Sequence, residues 1–423
     1  MDHFHYRNGQ LMAENVPLEQ IAAQVGTPVY VYSTATLKRH FRVFSEAFQG
    51  LDALVCFAVK ANSNIAVLRV LAKAGAGADV VSLGELKRAL KAGIPASKIA
   101  FAGVGKTKAE MAAALEAGIM QFNAESEAEL ETLNDVAASM DMVAPVSVRV
   151  NPDVDAKTHA KISTGKSENK FGIAWQKVDA VYARIGELAN LKAVGVDLHI
   201  GSQLTDLEPF RLAFERVVGL VRDLRAKGHD IRHIDLGGGL GIPYDPDAET
   251  PPAPADYGAM IREVLGDMDC NIILEPGRLI AGNAGLLLTE MLYEKQGENR
   301  TFYILDAAMN DLSRPAMYDA YHAIVPVAEP SGDETLKADF VGPICESSDV
   351  FAKQRNTAPL KAGDLVAIKS AGAYGAVMAS TYNSRPLVPE VLVDGDKVAV
   401  IRKRQSLDEL LSLDEIPSWL SGD

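Results

Sequence analysis

The stretch ALVCFAVK (53–60) places a lysine at the end of an apolar, β-type run, and repetition of this pattern decides the fold. Between residues 50 and 280, short apolar runs alternate with segments rich in Ala, Glu, Leu and Lys that are typical of helices. Eight such runs follow one another, at 53–60, 77–82, 98–103, 120–125, 145–152, 194–202, 233–239 and 271–278. Near-continuous apolar strands that alternate with helices indicate a parallel sheet covered by helices. Eight units predict a closed (β/α)8 TIM-like barrel, an α/β fold.

A second, β-rich module is expected after residue 278, because the alternation of strands and helices stops there. Short β-type runs follow at 301–308, 337–344, 364–374 and 390–402, and the last of them contains VDGDKV, which is typical of a hairpin turn. The first 30 residues are also strand-like and are expected to complete this module. The predicted domains are a cofactor-binding barrel over 31–285 and a C-terminal antiparallel β-domain over 286–423, joined by 1–30.

The composition is that of a large globular protein. Of its 423 residues, 48% are hydrophobic and 23% are charged, which leaves ample apolar surface for a barrel and a second module. The net charge of −14 argues against a nucleic-acid-binding surface, which needs a basic face. The three cysteines show neither metal-site nor disulfide spacing, and the start of the chain lacks a secretion signal pattern. Since no apolar run reaches membrane-spanning length, we expect a cytoplasmic protein that acts without membrane, nucleic acid or metal.

Reactive side chains gather where the eight predicted strands end. The ends carry Lys60, Asp79 with Ser82, Asn123 with Glu125, Arg149 with Asn151, His199 with Ser202, the glycines 237–239, and Glu275 with Arg278. In a (β/α)8 barrel these ends form one face, and active sites are built on that face. The alternative interpretation of Lys60 is a solvated strand end, and that of His199 is a satisfied core histidine.

The triple glycine 237–239 resembles a dinucleotide-binding turn, but the full glycine spacing is incomplete and a Pro-rich segment follows where a helix should begin. VGKT (104–107) and TGKS (164–167) lack the first glycine of a phosphate loop. Glycines leave backbone N–H groups accessible to an anion, although a tight turn with positive φ is the alternative. Barrels often bind phosphate between the loops after strands seven and eight. A lysine, a histidine, an acid and a phosphate-binding turn on one face predict a site for pyridoxal 5'-phosphate.

Six motifs in this order resemble the fold-type III pyridoxal-phosphate-dependent amino-acid decarboxylases. They are FAVKAN (57–62), HIGSQ (199–203), GGGLG (237–241), EPGR (275–278), GPICESSD (342–349) and AGAYG (371–375). Two further segments, KISTGKSENKFGI (161–173) and MNDLSRPAMY (309–318), resemble the diaminopimelate decarboxylase branch of that family. The likeness covers essentially the whole chain.

The resemblance implies a role for each matching residue. Lys60 would bond covalently to the cofactor, His199 would stack on its ring, and Cys345 would donate a proton from the neighbouring subunit. The other residues implied in cofactor binding are Asp79, Ser202, Gly237, Gly238, Gly239, Glu275, Gly277, Arg278 and Tyr374. Those implied in substrate binding are Arg278, Arg314, Tyr318, Glu346 and Tyr374. No metal is implied.

The predicted chemistry depends on Glu275 and on the two substrate arginines. A carboxylate beside the pyridine nitrogen keeps the ring protonated and able to accept electrons, whereas the related racemases place an arginine there. Arginines can grip a carboxylate bidentately, and Glu346 can pair with an ammonium, so a substrate with an amino-acid group at both ends fits. Together with these residues, the resemblance implies a homodimeric carboxy-lyase that converts meso-2,6-diaminopimelate to L-lysine and CO2, the last step of lysine biosynthesis.

Two other functions stay open at this point. One is a related decarboxylase that acts on ornithine, arginine or a carboxylated polyamine, for which Arg314 would lack a role. The other is a carrier of the cofactor without catalysis, against which Lys60, Glu275 and Cys345 argue together.

Overall fold

The computed structural model describes residues 2–154, 170–245, 247–248 and 250–420. Most of the KISTGKSENKFGI segment, including TGKS, lies outside the described residues. The chain divides into two compact units, a barrel unit over Leu37–Gly282 and a β unit formed by Met1–Thr36 with Asn283–Asp423. None of the helices in the described ranges combines the length and the apolar character needed to cross a membrane.

The chain begins with a small antiparallel sheet that belongs to the β unit. Its three strands and the three elements that follow are β1 (Phe4–Arg7), β2 (Gln10–Ala13), β3 (Val16–Pro17), α1 (Leu18–Val25), β4 (Val29–Ser33) and α2 (Thr34–Glu46). β2 lies between β1 and β3 in this sheet. Leu18 and Ile21, three positions apart on α1, are both fully buried, as expected for the apolar face of an amphipathic helix.

Nine strands follow among the described residues of the barrel unit, and eight of them close the barrel. They are β5 (Ala53–Ala58), β6 (Gly77–Val80), β7 (Ile99–Phe101), β8 (Gln121–Ala124), β9 (Ala144–Asn151), β10 (Ile173–Ala174), β11 (Leu191–Asp197), β12 (His233–Asp235) and β13 (Asn271–Leu274). Every pairing is parallel, β13 pairs with β5, and β8 pairs with β9, so that the sheet is closed. The two-residue β10 pairs only with β9 and is an addition to the barrel. The eight strands predicted from the apolar runs are therefore confirmed.

Helices alternate with the barrel strands. They are α3 (Ile65–Lys73), α4 (Leu83–Ala92), α5 (Lys108–Ala117), α6 (Glu127–Ser139), α7 (Val178–Glu187), α8 (Glu208–Ala226), α9 (Pro254–Leu265) and α10 (Arg278–Ala281). Four of them begin at a side-chain cap supplied by Asn64, Ser82, Thr107 and Ser126. Because such caps fix where each helix starts, they also fix the short loops that follow the strands.

The β unit continues after the barrel with a large mixed sheet. Its elements are β14 (Gly285–Gln296), β15 (Thr301–Leu305), α11 (Arg314–Tyr318), β16 (Ile324–Pro326), β17 (Leu336–Val341), β18 (Val350–Thr357), β19 (Leu365–Ile368), β20 (Glu390–Asp394), β21 (Lys397–Arg402) and α12 (Leu407–Leu411). Most pairings are antiparallel, as expected, but β15 pairs with β17 and β4 pairs with β20 in parallel. The hairpin predicted at VDGDKV is present between β20 and β21, with Gly395 at φ 63°.

The N-terminal segment completes this sheet, as the sequence predicts. β4 lies between β14 and β20 and pairs with both. Its Val29 and Val31 join one buried cluster with Leu286, Leu288 and Val391 from the two neighbouring strands. Since all five side chains are fully buried, the first strands of the chain are part of the core of the β unit.

Candidate active site

Lys60 lies directly after β5, in a single turn of 3-10 helix over Val59–Ala61. Its ammonium Nζ lies 3.1 Å from Oδ2 of Asp79, which is on the neighbouring strand β6. The Asp79 side chain is fully buried, whereas that of Lys60 is 41% exposed. An accessible amine and a buried carboxylate are therefore in contact at the ends of two adjacent strands.

Three carboxylates meet inside the barrel unit. Asp197 ends β11, Asp235 ends β12, and Glu275 follows β13 directly, so that three adjacent strands supply them. One carboxylate oxygen from each lies within 4.8 Å of the other two, and all three residues are buried. We call these residues the acid cluster. Sequence analysis found Glu275 but missed the two aspartates, although each is the last residue of a strand.

Burial is the main reason that the acid cluster retains protons. It raises the pKa of Asp235 to about 6, against hydrogen bonds from the Gly237 N–H (3.1 Å) and the Asn123 amide (3.1 Å). Burial and the neighbouring carboxylates raise the pKa of Asp197 and of Glu275 well above their usual values. The cluster can therefore hold a proton at a pH where exposed carboxylates are ionised.

Arg149 provides positive charge beside the acid cluster. It lies on β9, and its Nη1 is 3.1 Å from Oε1 of Glu125. Burial opposes its charge, but Glu125, Asp197 and Glu275 outweigh that effect and raise the pKa of Arg149. The guanidinium thus stays charged and partly balances the buried acids.

His199 follows β11 and is held by the triple-glycine turn. Its Nδ1 accepts a hydrogen bond from the Gly238 N–H at 3.2 Å. Burial, followed by the positive charges of Arg149 and Lys60, lowers the pKa of His199 well below its usual value. The imidazole is therefore neutral, and because Nδ1 accepts, its proton is on Nε2.

The glycines 237–239 connect the loops after β11, β12 and β13. Gly237 and Gly239 have φ of 62° and 118°, in the region that favours glycine. A Cβ on Gly238 would overlap the carbonyl oxygen of Glu275, and one on Gly239 would overlap that of Gly201. The turn therefore needs glycine for its backbone conformation at Gly237 and Gly239 and for close packing against carbonyl oxygens at Gly238 and Gly239, whereas binding of an anion to its N–H groups stays a prediction.

Arg278 and Ser202 are brought together at the same end of the barrel. Arg278 begins α10, and its Nη2 donates to Oγ of Ser202 at 2.9 Å. Its Nη1 donates to the hydroxyl of Tyr244 at 2.6 Å, and the guanidinium stands 5.6 Å from that ring. Tyr244 was missed from sequence because it lies in a Pro-rich segment that reads as a surface loop. Gly277 precedes α10 as its N-terminal flanking residue.

The remaining predicted residues lie in the β unit. Arg314 and Tyr318 are the two ends of the short helix α11, where Arg314 is buried and Tyr318 is half-buried. Arg314 Nη1 lies 2.9 Å from Nε2 of His322, a histidine that sequence analysis did not identify. Tyr374 is half-buried and has a positive φ of 56°.

Cys345 and Glu346 share one exposed turn of the β unit. The Cys345 N–H donates to Oδ1 of Asn383 at 3.2 Å, and the Tyr382 hydroxyl lies 3.5 Å from Oε2 of Glu346. Buried Asp349 holds the turn by accepting from the Ile344 N–H at 2.8 Å. The cysteine is a free thiol on the surface of the single chain.

Comparison with known proteins identifies the class to which this barrel belongs. The family model described as "Pyridoxal-dependent decarboxylase, pyridoxal binding domain" matches residues 34–282. A diaminopimelate decarboxylase of Pseudomonas aeruginosa is 54% identical and spans 97% of this chain and 98% of its own length. The corresponding enzyme of Zymomonas mobilis is 51% identical over 99% of each chain. The chain belongs to the diaminopimelate decarboxylase family of pyridoxal-dependent decarboxylases.

Solved structures support the same family. Diaminopimelate decarboxylase from Helicobacter pylori complexed with L-lysine is 44% identical, with a TM-score of 0.90 over 94% of this chain and 98% of that one. The enzyme from M. jannaschii in co-complex with L-lysine is 38% identical, with a TM-score of 0.94 over 99% and 100%. The (β/α)8 barrel with a β-domain is thus the fold of the family. The family uses pyridoxal phosphate.

Proposed function

We propose that this protein removes CO2 from meso-2,6-diaminopimelate to give L-lysine, the last step of lysine biosynthesis, with pyridoxal 5'-phosphate as cofactor. The observation that carries the proposal is Oε1 of Glu275, which is buried and has no hydrogen-bond partner among the described residues. Buried carboxylate oxygens are rarely left without a partner. With the cofactor bound, its protonated pyridine nitrogen would be the donor that this oxygen lacks.

The other barrel residues fit the same cofactor. Lys60 offers an accessible amine to the aldehyde, the half-buried Ser202 and the glycines 237–239 face the phosphate, and Gly277 with Arg278 extends that region. When bound, the cofactor supplies a protonated ring that accepts the electron pair left by the departing CO2. His199, whose imidazole is neutral, would pack against the ring and hold its orientation.

Glu275 and Asp79 control protons around this site. Burial raises the pKa of Glu275, so this residue can take up a proton; with the cofactor bound it would accept a hydrogen bond from the protonated ring nitrogen. Asp79 keeps the Lys60 ammonium in place at 3.1 Å and accepts its hydrogen bond. The supporting Arg149 keeps the acid cluster from accumulating net negative charge.

Residues of the β unit, together with Arg278 of the barrel unit, are proposed to bind the far end of the substrate. Arg278 and Arg314 grip its distal carboxylate, Glu346 pairs with its distal ammonium, and Tyr318 and Tyr374 complete the contact. Cys345 returns a proton to the carbon that loses CO2. Since a thiol must be accessible to do so, its exposure on the single chain supports this role.

We further propose that the enzyme is a cytoplasmic homodimer whose partner subunit contributes the acid thiol to each site. The barrel carries the cofactor and the β-rich part, predicted as 1–30 with 286–423, carries the acid and the substrate readers. A reducing compartment would keep the thiol of Cys345 available for proton transfer.

The direct test is product analysis with purified protein and added cofactor. We expect L-lysine and CO2 in equal amounts from meso-diaminopimelate, and no putrescine from ornithine. If the protein formed putrescine from ornithine but no lysine from diaminopimelate, the substrate would be ornithine and the assignment to diaminopimelate would be wrong. Visible absorbance of bound cofactor without CO2 from any amino acid would instead indicate a carrier.

A further inference from the structure

Arg314 makes a buried contact that the family motifs do not explain. Its Nη1 lies 2.9 Å from Nε2 of His322, and Nδ1 of the same ring lies 2.9 Å from the main-chain oxygen of Lys369. The His322 residue is completely buried, and Arg314 is 6% exposed. Two positive charges in direct contact inside a protein are unfavourable, so an arginine and a histidine in such a contact should not both be charged.

The two contacts define the protonation of the imidazole. A guanidinium can only donate hydrogen bonds, so Nε2 of His322 must accept from Arg314. A carbonyl oxygen can only accept, so Nδ1 must carry a proton and donate to Lys369. His322 is therefore neutral in this arrangement, with one proton, on Nδ1.

The main chain on both sides holds the ring in this position. His322 lies just before β16, which pairs antiparallel with β19, and the Lys369 N–H donates to the Ala323 oxygen at 2.8 Å. Arg355 donates from Nη1 to the main-chain oxygen of His322 at 3.1 Å and stacks 3.9 Å from the Tyr321 ring. The histidine thus connects the end of a sheet ladder to the guanidinium of Arg314.

A neutral imidazole orients an arginine in a way that a carboxylate would not. A carboxylate partner pairs with the guanidinium and cancels much of its charge, whereas a neutral acceptor uses one N–H and leaves the charge in place. The other N–H groups of the guanidinium fork are then fixed in direction because the fork is planar. The contact with His322 therefore fixes the direction of the Arg314 guanidinium, which the proposed function assigns to the distal carboxylate of the substrate.

The stereochemistry of the proposed reaction identifies that carboxylate. Meso-diaminopimelate has one D and one L centre, and a product with only the L configuration means that CO2 leaves from the D centre. The carboxylate of the L centre is therefore present in both the substrate and L-lysine. An arginine that reads it contributes to binding of both molecules.

We propose that His322 is a positioning residue that holds Arg314 to receive the carboxylate of the substrate's L centre. The inference rests on the proposed function and deepens it, because it assigns a determinant of specificity to a residue outside the family motifs. It predicts that ligands with an L-centre carboxylate depend on His322, and that diamines without a carboxylate do not.

Two amide variants separate the contacts of the ring. In His322→Asn the amide lies where Nδ1 was, so it can still donate to the Lys369 oxygen but cannot reach Arg314. In His322→Gln the amide extends to the position of Nε2 and can accept from Arg314. We expect His322→Asn to weaken L-lysine binding roughly tenfold in calorimetry and to raise KM for diaminopimelate by a similar factor, while kcat changes little. His322→Gln should recover most of this loss.

Pentane-1,5-diamine, which lacks the carboxylate, is the ligand control, and its affinity should be unchanged in both variants. His5→Asn, an exposed histidine of the same β unit, is the matched control for the substitution and should behave as the wild type. Equal losses of L-lysine and diamine, or wild-type affinity of His322→Asn for L-lysine, would overturn the inference. Wild-type protein that forms no lysine from diaminopimelate would contradict the proposed function instead.

If His322→Asn does not fold, the inference can still be tested by a measurement on the wild-type protein. Nitrogen-15 NMR of the eight histidines, with the His322 signals assigned by their loss in His322→Gln, reports which ring nitrogen carries the proton. We expect the Nδ1–H form, retained when L-lysine is added. An Nε2–H or doubly protonated ring would be incompatible with acceptance from Arg314.

Discussion

Glu275 takes its properties from residues that come from two other strands. Asp197 and Asp235 lie beside it, and burial with these neighbours raises its pKa well above the usual range. Arg149 compensates part of the negative charge and is itself kept charged by the acids. A single carboxylate on an exposed loop could not hold a proton in this way, so its chemistry depends on the whole cluster.

At the residue scale, Glu275→Gln should lower kcat roughly hundredfold, as expected when a group that stabilises developing charge is lost. Glutamine keeps the shape of the side chain but cannot exchange a proton with the ring nitrogen of the cofactor. The measurement is the initial rate of CO2 release at saturating diaminopimelate. Glu263→Gln, an exposed residue of α9, is the matched control and should be as active as the wild type. A kcat for Glu275→Gln within twofold of the wild type would remove Glu275 from the mechanism.

The raised pKa of Asp235 leads us to expect that its contribution to the free energy of unfolding depends on pH. Its pKa is about 6 in the folded protein, whereas an unfolded aspartate titrates near 4. Between these values the folded state binds the additional proton, so the free energy of unfolding that Asp235 contributes falls as pH rises. The shift corresponds to a decrease of about 3 kcal/mol from pH 4 to pH 6 and above.

Asp235→Asn should remove this titration. Urea unfolding of both proteins across that pH range should show the wild-type stability falling relative to the variant by about 2–3 kcal/mol. A difference in unfolding free energy that does not vary with pH would mean that Asp235 titrates normally in the folded protein.

At the element scale, the site depends on turns that follow barrel strands. The triple glycine connects three of these turns, because the Gly238 N–H holds His199 while the Gly237 N–H holds Asp235. The strand ends thereby set the positions of a ring-packing histidine and of a proton-holding acid at the same time. A change in this turn is expected to affect both groups.

Gly238→Ala should therefore destabilise the protein by about 1–3 kcal/mol, because its Cβ would overlap the Glu275 carbonyl oxygen. Weaker binding of the cofactor is expected with it, since Glu275 and His199 both move. Thermal unfolding and absorbance titration with pyridoxal phosphate would measure the two effects. Gly186→Ala is the control, because this exposed glycine of α7 has open space around its Cβ position and should gain about 0.5–1 kcal/mol. Equal stability changes in both variants would contradict the account of the turn.

The sequence predicts elements better than it predicts contacts between them. Apolar runs of six to nine residues indicated all eight barrel strands, because buried parallel strands are apolar on both faces. Lys60 and Glu275 were identified because an ionisable residue at the end of such a run is unusual. Asp197 and Asp235 were not identified, since a strand-final aspartate also begins many ordinary turns. His322 has no local signal, because the main-chain oxygen that fixes its ring belongs to Lys369, 47 residues away.

At the scale of the whole molecule, the proposed function needs residues from both units and from a second subunit. In that proposal, the amine and the groups around the cofactor ring are residues of the barrel unit, and Arg314, Glu346 and Cys345 are residues of the β unit. The parallel pairings of β4 with β20 and of β15 with β17 were not expected from the alternating pattern, because strand direction is decided by the path of the chain between strands. Such long-range choices leave no periodic trace in the sequence.

If the sites are shared between subunits, two inactive variants should complement each other. Lys60→Ala and Cys345→Ala homodimers should each be nearly inactive, and mixing them with subunit exchange should restore roughly a quarter of wild-type activity. In the mixed dimer one of the two sites combines an intact lysine with an intact cysteine. Activity would be measured after exchange has been verified with differently tagged chains. No recovery would mean that each chain builds its own complete site.

The central claim is that the amine of Lys60 forms the covalent bond to the cofactor. Borohydride reduction of the protein saturated with pyridoxal phosphate, followed by peptide mass mapping, tests it most directly. The account predicts one pyridoxyl group per chain, located on Lys60, and none in the corresponding peptide of Lys60→Ala. A label on any other lysine, or unlabelled wild-type protein at saturation, would contradict it.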